Sequence, residues 1–131
     1  MRGFWRKLFG NQGERAAARF LRQKGYRIVS RQWLGRWGEF DLIALDGPTI
    51  VFVEVKTRRN VALGHPAEAV GRDKQQRMTR QALAYLKRRR LLEHRARFDV
   101  VAIVWPDGVK HPEIQHFVNA FEPTGEGQFF S

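Results

Sequence analysis

The spacing of hydrophobic residues changes several times along the chain, and each change marks an element. In "QGERAAARFLRQK", Gln12 to Lys24, the apolar residues Ala17, Phe20 and Leu21, with Ala18 beside them, recur at helical intervals. Asn11 ahead of the run suits an N-cap, and Gly25 behind it suits a helix end. Glu14 lies one turn before Ala17 and Ala18, which puts its carboxylate on the buried side of this helix. The segment "YRIVSRQW" then alternates and predicts a strand, and "LGRWG" interrupts it. "EFDLIAL" and "TIVFVEVK" flank the turn sequence "DGPT" and predict a hairpin. A looser region with Gly64, Pro66 and Gly71 follows. A second helix is expected from Asp73, as N-cap, to Arg90, with Met78, Ala82, Tyr85 and Leu86 as its stripe. Its end, "KRRR", suits the negative pole of the helix dipole. "FDVVAIVW" is apolar without alternation, as a strand covered on both faces would be. "PDG" turns the chain and "EIQHFV" returns as a last strand. The order α-β-β-β-α-β-β predicts an α/β or α+β sheet with helices packed against it.

Composition narrows the partners. The chain has 131 residues, one domain's worth, and no cysteine, which fits a reducing compartment and a cytoplasmic location. Its 24 Lys and Arg against 13 Asp and Glu give a formal net charge of +11. An excess this large on a small domain points to a polyanion: DNA, RNA or an anionic membrane. No run of about 18 apolar residues exists, so stable membrane insertion is not expected. The segment "MRGFWRKLFG" carries Phe4, Trp5, Leu8 and Phe9 at helical spacing but lacks the apolar stretch and cleavage site of a signal peptide. It is expected to pack on its own domain or fray, with contact to a membrane surface or a partner as the other reading. The division expected is therefore a basic aromatic segment over 1–10, one domain over 11–121, and a tail over 122–131 of turn composition.

The chemistry concentrates in "IVFVEVKTR", where a strand built for the core ends in Glu54 and Lys56. If the hairpin closes with Leu45 opposite Ile50, Ile43 faces Phe52 and Asp41 faces Glu54. Every second residue shares a face, so Asp41, Glu54 and Lys56 point the same way. Two carboxylates about 5 Å apart repel by roughly 3 kcal/mol at an effective dielectric of 20. A divalent cation between them removes that repulsion, and Mg²⁺ takes one or two carboxylates plus water and phosphate. With a lysine alongside, the set is what phosphodiester hydrolysis requires. An ordinary cross-strand ion pair would use the same residues, and the spacing alone does not separate the two readings.

"GEFDLIALDG" followed by "VFVEVKTR" resembles the core motif of the PD-(D/E)xK, restriction-endonuclease-like nucleases. Asp41 matches the first acidic position, Glu54 the second and Lys56 the lysine; the proline of the motif's name is replaced by Phe40. Together with "GNQGERAAARFLRQKGYRIVSRQW", "KQQRMTRQALAYL" and "RFDVVAIVW", the pattern resembles the YraN-like family of small bacterial proteins over Asn11 to Phe117. The resemblance implies an α/β fold with a central mixed sheet flanked by helices. It also implies kinship with archaeal Holliday-junction resolvases, in which a glutamate of the first helix joins the metal site. Glu14 matches that position; a role near the helix start, where acids are favoured, is its alternative.

Lesser candidates follow. Glu39 is placed as a further ligand or an exposed strand-start acid. Gln81 and Tyr85 form a Q-x₃-Y pair like that of related exonucleases, although Tyr85 also belongs to the core stripe. Asp99 is expected to pair with a neighbouring arginine, and His65, His94, His111 and His116 to be surface or loop residues. Arg58 and Arg59 after the site are placed either on a nucleic-acid backbone or as a solvated pair of charges, and Lys74, Arg77, Arg80, Lys87, Arg88 and Arg90 line the polar side of the second helix as a phosphate-contacting ridge. Trp33 and Trp37 are placed either on bases or in the core. The function expected is a nuclease-like protein acting on DNA, branched or otherwise structured DNA included, with Mg²⁺ or Mn²⁺ on Asp41, Glu54 and Glu14. The rival is a basic nucleic-acid-binding module without catalysis. A two-fold dimer is the expectation by analogy with junction cutters.

Overall fold

The computed structural model describes residues 2–60 and 70–124. Its elements are α1 (Arg2–Gln23), β1 (Arg27–Gly35), β2 (Gly38–Asp46), β3 (Thr49–Arg58), α2 (Arg72–Arg88), β4 (Ala96–Val104) and β5 (Glu113–Phe121). The five strands form one sheet in chain order. β3 and β4 run parallel and every other neighbouring pair is antiparallel, so the sheet is mixed and α2 is the crossover between its central strands. This is an α/β fold consistent with the restriction-endonuclease-like architecture.

Each helix buries its stripe on one face. Ala17, Ala18 and Leu21 of α1 meet Leu42, Ala44, Val51, Val53, Val101 and Ile103. Met78, Ala82, Tyr85 and Leu86 of α2 meet Ile43, Phe52, Phe98 and Val100. β3 and β4 send alternate residues to both clusters, which is why "IVFV" and "VVAIV" carry no polar alternation. Small residues let α1 lie close to the sheet. A Cβ at Gly13 would collide with the Thr57 side chain, so the missing methyl sets the depth of the helix and positions the next residue, Glu14.

Both early hairpins are tight. Gly35 pairs with Gly38 around Arg36 and Trp37, and Gly38 has φ 133°. Asp46 pairs with Thr49 around Gly47 and Pro48, with Gly47 at φ 57°. That turn fixes Leu45 opposite Ile50 and Ile43 opposite Phe52, the register expected from the sequence.

The helix ends differ from those the sequence predicts. α1 starts at Arg2 and passes through Asn11, whose Oδ1 accepts from Gln32 Nε2 at 2.8 Å instead of capping. Gly10 and Asn11 are mediocre helix formers, but no proline breaks the helix between the two segments. At the other end, Tyr26 N–H donates to Leu21 O at 2.9 Å across Gly25, at φ 96°, a Schellman closure. α2 starts one residue before Asp73, with Gly71 at the cap position. It closes before Arg90, which sits at φ 58° while Leu91 N–H reaches back to Leu86 O. Gly64, His65 and Pro66 lie outside the described residues. Among the described residues no helix is long and apolar enough to cross a membrane.

Candidate functional site

β2 and β3 keep their register as far as Leu42 and Val53. Beyond them the Asp41 side chain intervenes: its Oδ2 accepts the Val55 N–H at 2.8 Å. The alternation of faces also slips here, since Leu42 lies in the α1 cluster and Phe40 in the α2 cluster. The strands part at Asp41, and the gap opens toward α2.

Glu54 sits in that gap, 5% exposed, with its carboxyl hydrogen-bonded to that of Asp41. Burial, that hydrogen bond and the charge of Glu54 together push the Asp41 carboxyl up to about 9. Burial works the same way on Glu54, but the Asp41 proton and the Lys74 ammonium outweigh it and hold Glu54 below its ordinary value. The pair therefore holds one proton and one negative charge near neutral pH, and it titrates as a unit. Glu54 Oε2 forms an ion pair with Lys74 and lies 3.9 Å from Lys56 Nζ, yet it accepts no hydrogen bond of normal geometry. Lys56 is pushed below its usual value by burial and by Lys74 and Arg58, against the pull of Glu54.

Glu14 reaches the same end of the sheet from α1. It is 8% exposed, and its Oε1 accepts no hydrogen bond among the described residues. Burial raises its carboxyl, partly offset by a hydrogen bond from Gln32 and reinforced by Glu39. One carboxylate oxygen from each of Glu14, Glu39 and Asp41 lies within 4.8 Å of the others. The structure thus brings Glu14, Asp41, Glu54 and Lys56 to one place. Glu39 stands in the cluster with Glu14 and Asp41, while Glu54 turns toward lysine. The donors are hard oxygens, one is buried without a partner, and like charges are forced together, so the residues fit Mg²⁺ or Mn²⁺.

A cavity of about 400 Å³ opens beside this cluster, lined by Asp41, Glu54, Lys74, Arg77, Gln81 and Trp37 among others. Lys74 joins the site as the partner of Glu54, a contact the sequence reading did not assign. Its signal was its place one turn before Met78 on the core-facing side of α2. Gln81 lines the cavity, but its amide is engaged: Oε1 accepts the Trp37 N–H at 3.0 Å and Nε2 donates to Gly38 O. Tyr85 lies in the core against Trp33 and Phe52, with ring centroids 5.1 and 5.6 Å away. Trp33 is packed there too, and Trp37 is exposed. Arg58 and Arg59 are exposed at the end of β3; Arg59 binds Asp107 at 3.2 Å and covers the Phe9 ring at 3.8 Å. A larger cavity, about 630 Å³, lies at the opposite end of the sheet around Leu45, Pro48 and Leu91; Tyr85 lines it, and none of Glu14, Glu39, Asp41, Glu54 and Lys56 does.

A second polar cluster lies on the α1 side. Asp99, fully buried, accepts from Arg97 Nε at 2.9 Å, as expected, and from the Asn119 N–H at 2.9 Å. His116 Nε2 lies 2.8 Å from Asp99, and Lys24 Nζ lies 2.8 Å from His116 Nδ1. Burial works to raise Asp99, but the bonds from His116, Arg97 and Asn119 prevail and hold it below its ordinary value. His116 is therefore no surface residue: its side chain is 1% exposed. It shares a strand face with Ile114, which packs on the α1 cluster, and that period was readable in the sequence.

The chain matches the family model described as uncharacterised protein family UPF0102 over residues 13–103. It is similar to a UPF0102 protein of Rhodopirellula baltica, 47% identical over 124 residues that cover 92% of this chain and 74% of the relative. A UPF0102 protein of Geotalea uraniireducens is 49% identical over 116 residues, covering 88% of this chain and 91% of the relative. One from Geobacter sulfurreducens is 48% identical over 118 residues, covering 88% and 90%.

Proposed function

We propose, from the premise that the chain belongs to the uncharacterised protein family UPF0102, that it is a divalent-metal-dependent nuclease acting on DNA. The observation that carries this reading is the meeting of Asp41 and Glu54 in a buried gap, with Lys56 beside them. A fold that needed only stability would not place two carboxyls so that one must keep a proton near neutral pH.

Asp41, Glu54 and Glu14, with Glu39 as a further oxygen, would hold Mg²⁺ or Mn²⁺. When bound, the ion polarises the phosphoryl oxygen and lowers the pKa of a coordinated water. The remaining work falls to side chains. The Asp41 Oδ2 bond to Val55 N–H fixes one carboxylate on the rigid sheet. Lys56 sits within reach of Glu54, where its ammonium orients the attacking water and offsets charge gathering on the phosphate. Lys74, the present partner of Glu54, would be free for the phosphate where Glu54 serves as a ligand, with Arg77 one helical turn away on the same cavity wall.

The test is a cleavage panel of single-stranded, duplex, flap and four-way DNA with Mg²⁺ or Mn²⁺. Cutting that disappears in Asp41→Asn and Lys56→Ala, with folding and DNA affinity retained, supports the reading. Intact substrates throughout would remove it. The binding-module reading has one observation in its favour: Lys74 already neutralises Glu54. Calorimetry separates the two, since a module of that kind binds DNA with strong salt dependence and takes up neither metal.

A further inference from the structure

We infer that the indole of Trp37 is a stacking platform for one unpaired nucleotide beside the phosphate to be cut. The substrate class is then DNA with a single-stranded stretch, flap or open junction, in preference to continuous duplex. This rests on the nuclease reading for the word "cut", but not for the binding it describes.

Four observations converge. Trp37 is 38% exposed at the tip of the β1–β2 hairpin and lines the same cavity as Asp41 and Glu54. The core does not use it: Trp33 in the same ribbon turns inward, stacking on Phe40 with centroids 6.4 Å apart, and Trp37 belongs to neither cluster. Its backbone is nonetheless held rigidly. Gln81, 2% exposed, devotes both ends of its amide to this turn, on the Trp37 N–H and the Gly38 carbonyl. Cations frame the ring, with Arg36 and Arg80 guanidinium carbons 5.5 and 5.2 Å from its centroid.

A fixed, exposed aromatic plane between arginines is complementary to a planar base joined to an anion. The base takes the place of one arginine over the ring, and that arginine moves to the adjoining phosphate. Bases within a duplex already cover one another's faces, so the platform favours a nucleotide that has left its stack. Stacking on an aromatic is worth a factor of roughly 5 to 150 in affinity per base.

The experiment measures binding of the full chain in EDTA, where no cleavage occurs. The probes are a fluorescein-labelled thymidine oligomer and a blunt hairpin duplex with the same number of phosphates. Trp37→Ala should lose about tenfold or more on the single strand and under about threefold on the duplex. Trp37→Phe should keep most of the affinity, and Arg80→Ala should weaken both probes alike. The single strand should also quench tryptophan emission in the native protein, and much less in Trp37→Phe. Unchanged melting of the variants shows that they fold. Equal loss on both probes, no loss, quenching that survives Trp37→Phe, or a native protein that binds neither probe would each overturn the proposal. A separate cleavage assay with Mn²⁺ reports on the nuclease reading, so either idea can fail while the other stands.

Discussion

Asp99 is a fully buried acid and Asp41 a half-buried one on the same sheet, and their surroundings have opposite signs. Asp99 meets a guanidinium, an imidazole and a backbone N–H, and its carboxyl stays ionised below its ordinary value. Asp41 meets another carboxyl and keeps a proton up to about 9. The first cluster is complete: β4 is tied through Asp99 to β5, and through His116 to Lys24 just past α1. The second is compensated only in part by Lys74 and Lys56, and Glu14 brings an unpartnered oxygen to it. The sheet holds the charge of Asp99 quietly, whereas at Asp41 the chain keeps a proton instead.

The sharpest way to break this comparison is to remove each acid. Asp99→Ala leaves His116 without its anion and Arg97 with Asp46 alone, and should cost about 3–5 kcal/mol of stability, read from urea unfolding. Asp41→Asn should leave stability in EDTA equal or higher while lowering cleavage by at least about a hundredfold, as loss of a metal ligand or transition-state contact does. A strongly destabilised Asp41→Asn protein would mean that Asp41 is as structural as Asp99. Next in size is the metal itself. Mn²⁺ at about 100 times its dissociation constant should add about 2.7 kcal/mol to the native protein. It should add nothing to Asp41→Asn, and because the ion displaces a proton its affinity should rise with pH.

A further difference is in pH. Asp99 has a folded value below the 3.8 of the free side chain, so its contribution is present above that value and disappears as pH falls through the folded value. Asp41 has the opposite sign. Between 3.8 and about 9 the folded chain holds a proton that the unfolded chain has released, so stability in EDTA falls as pH rises across that window. Asp41→Asn should flatten that decline and leave the acid limb in place. Denaturation midpoints across pH for the native protein and the variant decide it.

The architecture was legible because it rests on long patterns. "IVFVEVK" against "EFDLIAL" gave the register once the turn was placed, and the unbroken apolar run of β4 marked a central strand. Helix ends were not, because caps are worth about 1 kcal/mol each and a continuous helix overrode Asn11. Within the candidate site, neighbours along one hairpin were readable and partners from distant elements were less so. Lys74 reaches Glu54 from α2, and His116 reaches Asp99 from β5 across a register shift. Such contacts depend on how elements dock, which no local spacing records. Glu39 was placed as a ligand or a surface acid, and it is both exposed and grouped with Glu14 and Asp41.

The Gly47-Pro48 turn has a consequence for how this centre comes into being. A hairpin closes in microseconds and at small entropic cost, whereas β3 and β4 pair only after the chain has travelled through α2. Asp41 and Glu54 are thus brought together within one tight hairpin, while Glu14 and Lys74 come from helices on either side of it in the chain. Change in those helices can therefore add or withdraw an oxygen or an ammonium and leave the acidic couple standing.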